Sequence, residues 1–156
     1  MKTILAIDPG ASGGIAEWCE NKIYAFAMPD DAELVQYLIA LDERHQIEGG
    51  EIHAYVELVG GFIAGNPAPG SAMFNFGRGY GYILGALAAL KIPTNLIRPQ
   101  VWQAGIPGVR GIKEKAQRKR ALKEHAYRLF PTAKITLATA DALCIAEYAR
   151  TKEIAP

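Results

Sequence analysis

Lys2-Thr-Ile-Leu-Ala-Ile-Asp8 runs directly into Pro9-Gly10, and the reading of this stretch decides the fold. Its apolar run, Ile4 to Ile7, is too short for a signal peptide or a membrane span. It predicts a buried central strand, stopped by a proline and a glycine that force a turn and leave Asp8 at the strand's end. Outward from it, Gly13 to Cys19 and Lys22 to Ala27 predict two further strands joined at Glu20-Asn21, which complete an antiparallel meander. Asp30 or Asp31 caps a helix with Leu34, Tyr37, Leu38 and Leu41 at helical spacing, fading near Gly49-Gly50. Glu51 to Leu58 is a fourth strand and Ile92 to Ile97 a fifth. Gly60 to Gly70, rich in glycine and proline and without periodicity, is a candidate ligand-contact loop.

Ser71 to Lys91 predicts a helix carrying Gly77, Gly81 and Gly85 at i, i+4 and i+8. Interior glycines cost about 1 kcal/mol each relative to alanine, so the stripe points to close approach of a sheet or a partner helix. Asn75 and Arg78 exclude a membrane helix there. Gln100 to Ala104 is a short helix, and Gly105 to Gly111 a second glycine-rich loop. Lys113 to Phe130 is a helix with Leu122, Ala126, Leu129 and Phe130 facing the core. Thr139 caps a last helix with the stripe Ala142, Ile145, Ala146 and Ala149. The order β-β-β-α-β-α-β-α-α predicts an α/β fold: a mixed five-stranded central sheet flanked by helices, in one domain spanning residues 1–156.

At 50% hydrophobic and 21% charged residues, the 156-residue chain is neither disordered nor fibrous. Cys19 and Cys144 have no metal-binding spacing and read as reduced thiols of a cytoplasmic protein. His45, His53 and His125 likewise lack the spacing of ligands and read as surface or satisfied core side chains. The formal charge of +1 conceals an asymmetry. Residues 98–134 hold ten Lys and Arg against Glu114 and Glu124, a local charge of +8 that leaves −7 elsewhere. Such a window is either a polyanion-binding face or a solvated basic helix.

Asp8 ends the first strand, Glu57 ends the fourth, and Asp141 lies in the first turn of the last helix. If the two strands are neighbours the three carboxylates converge, and hard divalent cations are the usual means of keeping such a group ionised. Two such ions activate water in phosphodiester hydrolysis. Taken singly, Asp8 is equally a turn former, Asp141 a complement to the helix dipole, and Glu57 a partner for Lys or Arg. The conjunction favours the metal reading.

The ordered set Ile4-Leu-Ala-Ile-Asp-Pro-Gly10, Ala54-Tyr-Val-Glu-Leu58, Ser71-Ala-Met-Phe-Asn-Phe-Gly77 with Gly81, and Ala140-Asp-Ala-Leu-Cys-Ile-Ala146 resembles the RuvC-like Holliday junction resolvases of the RNase H-like superfamily, particularly bacteriophage versions. The resemblance implies an RNase H-like fold and a homodimer that binds four-way DNA junctions and cuts them with paired nicks, in DNA recombination and repair. It implies Asp8, Glu57 and Asp141 as catalytic metal ligands for two Mg²⁺ ions, with Mn²⁺ able to substitute, and a cytoplasmic location, that of the host for a phage protein. Lys113, Lys115, Lys119 and Lys123 are the leading DNA phosphate contacts, with Arg110, Arg118 and Arg120 next. Phe62 is the candidate for an aromatic wedge at the junction centre.

The chain departs from that pattern twice. A fourth metal-site acid or histidine, three or four positions before the helix aspartate, is replaced by Ala138 and Leu137. Either Lys134, Thr136 or Thr139 compensates, or the chain is a weakened or inactive junction-binding protein; a broader branch or flap nuclease is a further reading. Trp102 stands where a basic residue is usual, as a stacking group or a core side chain.

Overall fold

The computed structural model describes residues 1–60 and 70–154. In chain order the elements are β1 (Lys2–Asp8), β2 (Gly14–Cys19), β3 (Lys22–Ala27), α1 (Asp31–Glu48), β4 (Glu51–Glu57), α2 (Gly70–Ala89), β5 (Thr94–Ile97), α3 (Pro99–Gln103), α4 (Lys115–Leu129) and α5 (Ala140–Ile154). This is the expected mixed sheet, with strand order β3-β2-β1-β4-β5. β1 lies antiparallel to β2 and parallel to β4, and β4 is parallel to β5.

β1 is central because both of its faces are apolar. Ile4 and Ala6 join one core with Trp102, Leu122, Ala126 and the buried side of α5, while Leu5 and Ile7 join a second core with Leu34, Leu38, Leu41, Ile83 and Leu87 of α1 and α2. α3, α4 and α5 therefore cover one face of the sheet and α1 and α2 the other. Asp30 caps α1 through its side chain, which accepts a hydrogen bond from the Glu33 amide at 2.8 Å, and Gly49 ends the helix in the left-handed region at φ 71°.

Several expectations need correction. α5 carries no single apolar stripe: Ala140 to Ala146 are buried all round, because the helix start lies between the sheet and α4. Leu129 is exposed at the end of α4 rather than packed in the core. Thr139 does not turn its hydroxyl to the start of α5; its Oγ1 accepts from the Thr136 amide at 2.9 Å and donates to the Lys134 carbonyl at 3.0 Å. A Cβ at Gly77, Gly81 or Gly85 would meet nothing within 4 Å among the described residues, so the stripe is not pressed against the sheet. One expectation holds: His45 is a satisfied core histidine, its ring nitrogens 2.8 Å from the Leu41 carbonyl and 2.7 Å from Thr3 Oγ1.

One glycine positions the residue 134–139 segment against the end of β1. Gly14 pairs with Asp8, and a Cβ there would stand 2.5 Å from the Ala138 carbonyl oxygen and 2.8 Å from that of Phe26. Both obstacles are backbone, so Gly14→Ala is expected to lower unfolding free energy by about 2 kcal/mol or more. Urea denaturation checks this; an unchanged midpoint would show that the segment does not press on the strand.

Candidate active site

Parallel pairing of β1 and β4, with Ile7 opposite Val56, places Asp8 and Glu57 at the same end of adjacent strands. The chain leaves β1 through Pro9 and Gly10, whose φ of 104° belongs to glycine, and closes its turn with a 2.9 Å bond from the Gly13 amide to the Gly10 carbonyl. α5 crosses β1, β2 and β4 and brings Asp141, in its first turn, to the same place. Asp8 and Asp141 are buried and Glu57 half-buried, and the three acids lie at one end of the sheet, near enough for Asp141 and Glu57 to repel charge on Asp8.

Two side chains from the layer above organise them. Lys119, on α4, sets its Nζ 2.5 Å from Asp141 Oδ2 and 3.7 Å from Asp8 Oδ2. Trp102, on α3, donates its indole N–H to Glu57 Oε2 at 2.9 Å. The other oxygen of Asp141, Oδ1, is buried with no hydrogen-bond partner among the described residues. Among the described residues, no three His, Cys, Asp or Glu side chains are drawn close enough to hold one ion; the Lys119 ammonium lies between two of the carboxylates.

The electrostatics follow from this crowding. Burial, then repulsion from Asp141, push the Asp8 carboxyl up to about 7; Glu57 adds repulsion, and Lys119 only partly offsets the rise. Glu57 is raised as well, by burial and by Asp141, against the Trp102 hydrogen bond and the Lys119 and Arg118 charges. Burial disfavours the charge on Lys119, but the pull of Asp141, Asp8 and Glu57 outweighs it and holds the ammonium above the ordinary lysine range.

The predicted DNA-contact residues divide. Arg110, Lys113, Lys115 and Arg120 are exposed, while Arg118 and Lys123 are half-buried, Lys123 with its Nζ 5.8 Å from the Tyr127 ring centroid. Lys119, expected at a DNA phosphate, here faces inward and pairs with two acids. Phe62 lies outside the described residues. Thr136 and Thr139 bond to each other and to local backbone rather than to the acids. Trp102 is a core side chain that also reaches the site. Sequence reading missed that bond, and the unusual tryptophan at this position was its one signal.

The position of Asp8 makes a pH prediction. Its folded pKa, about 7, lies above the ordinary 3.8, so the native state retains the proton that the unfolded chain releases. The stability contributed by this group is complete below pH 4 and is lost as pH rises towards 7. In EDTA, Asp8→Asn is expected to melt several degrees above the wild type at pH 8, with the gap shrinking towards pH 4; a pH-independent gap would refute the assignment.

The sequence matches no protein-family model and no curated protein. Solved structures do match over nearly its whole length. Thermus thermophilus RuvC is 19% identical, with 96% of each chain covered and a TM-score of 0.56. The same organism's RuvC in complex with Holliday junction substrate is 19% identical, with 97% of this chain and 96% of that one covered and a TM-score of 0.58. The chain therefore has the RNase H-like fold of RuvC.

Proposed function

We propose that this protein is a metal-dependent endonuclease that cuts four-way DNA junctions. One arrangement supports the reading: Asp8 and Glu57 end adjacent parallel strands and Asp141 stands in the first turn of the helix that crosses them, so that three carboxylates share one end of the sheet and repel one another. The buried, unpartnered Oδ1 of Asp141 fits a hard cation, since a bare carboxylate oxygen is costly unless something positive meets it. Asp8, Glu57 and Asp141 would hold Mg²⁺ or Mn²⁺, which supplies the polarisation of phosphate and water needed for phosphodiester hydrolysis. The support from RuvC, one of whose structures holds Holliday junction substrate, is that of a shared fold.

Within that reading the chain's own groups have separable tasks. Trp102 orients Glu57 by a single directed hydrogen bond. Lys119 restrains Asp8 and Asp141 and offsets part of their negative charge. The exposed cations Arg110, Lys113, Lys115 and Arg120 bind backbone phosphates, setting position rather than sequence preference.

We also propose that the protein acts as a homodimer through the outer face of α2. Gly77, Gly81 and Gly85 leave open space there, flanked by Phe74, which is 71% exposed, and by exposed Tyr82. A second reading, a junction-binding protein without nuclease activity, has its own support in Ala138. That residue's backbone lies against Gly14, beside Asp8, yet it offers no acid.

End-labelled four-way junction and matched duplex, incubated with Mg²⁺, Mn²⁺ or EDTA, test the activity. Paired nicks confined to the junction are expected with metal, and Asp8→Asn should abolish them while leaving the gel shift intact. Shifted but uncut junction, with cutting gained in Ala138→Asp, would establish the binding protein instead. For the dimer, light scattering is expected to give twice the chain mass; Gly81→Leu should shift the wild-type dimer to monomer with an unchanged circular dichroism spectrum. A monomeric wild type would remove the dimer proposal.

A further inference from the structure

The position of Lys119 bears on how many ions the centre takes. Its Nζ lies 2.5 Å from Asp141 and 3.7 Å from Asp8, and so already sets one positive charge between those two carboxylates. Ala138 and Leu137 supply no fourth acid, and the nearby threonine hydroxyls are bonded locally. Charge balance then becomes decisive. Three carboxylates, one ammonium and one divalent ion are neutral together, whereas two divalent ions beside the ammonium leave an excess of two positive charges in a buried place. Such an excess is costly at low local dielectric.

We infer that Lys119 is a built-in cation of this centre, taking the place of a second divalent ion, so that each chain binds one ion. The inference rests on the reading of the carboxylates as a metal centre. α4 supports it geometrically. Leu122 and Ala126 pack into the core and fix the helix against α5, so that Lys119, one turn before Leu122, lies on the side of the helix that faces the core. The buried Oδ1 of Asp141, on the same carboxylate that Lys119 grips through Oδ2, is left for the divalent ion. The lysine thus acts as a positioning and charge-balancing residue: it divides the trio into a side that is already neutralised and a side that is not.

Mn²⁺ titration of the DNA-free protein, with unbound Mn²⁺ counted by electron paramagnetic resonance, tests this without reference to cleavage. One Mn²⁺ per chain is expected for the wild type and for Lys119→Arg, which keeps the charge. In Lys119→Met a second ion is expected to bind, and the first to bind at least tenfold more tightly, because a competing cation has gone. Lys119→Gln serves the same comparison should Lys119→Met not fold. Asp141→Asn should lose the wild-type ion, which places it at this centre. Two ions in the wild type, or the same count and affinity in Lys119→Met and Lys119→Gln, would overturn the role of Lys119 while leaving the metal centre standing. No ion in any variant would overturn both.

Discussion

Three acids forced together at the end of a doubly buried strand are the constraint around which the helices on one face of the sheet are arranged. β1 cannot slide to relieve them. Its side chains fill both cores alternately, and a slip of one residue would move Ile4 and Ala6 to the α1–α2 side and Leu5 and Ile7 to the other. Asp8 is thus fixed by four apolar neighbours, and Glu57 by the parallel register of β4. Relief must come from outside the sheet, and it does: an ammonium from α4, an indole N–H from α3 and the crossing of α5 all arrive from the same face.

α4 consequently has two different surfaces. Lys115 and Arg120 face solvent, Leu122 and Ala126 face the core, and Lys119 lies at the seam, where the helix passes over the carboxylates. The strongly basic window therefore has two physical origins. Part of it is surface charge available to a polyanion. Part lies against the protein's own acids, where Lys119 is paired with Asp141 and Asp8.

The sheet and its carboxylates were legible because they are written locally. A short apolar run before Asp-Pro-Gly has few structural readings, and an acid ending the run Ala54 to Val56 is conspicuous. The Trp102–Glu57 bond joins residues 45 apart, and no local pattern encodes it. Lys119 was concealed differently. Lys115, Lys119 and Lys123 follow one another at four-residue spacing, so periodicity places them on one face without saying which of them meets an acid. That depends on how α4 is seated against α5, a matter of packing between distant segments. The glycine stripe of α2 is similar: periodicity identifies a face but not what lies opposite it, and the sheet does not.

The missing acid at Ala138 is best understood through the segment that carries it. Residues 134–139 are held down by bonds among Thr136, Thr139 and the Lys134 carbonyl, and the Ala138 carbonyl approaches so closely that only glycine fits at position 14. The segment is thus built to lie beside Asp8 even without a ligand side chain of its own. Losing one negative charge there would leave two divalent ions under-compensated, and gaining an ammonium on α4 makes that deficit greater unless one ion is also lost. On the proposed metal reading the two features make sense together: an acid absent from one wall and a lysine present on the other change the charge in the same direction, and a single ion would leave both neutralised.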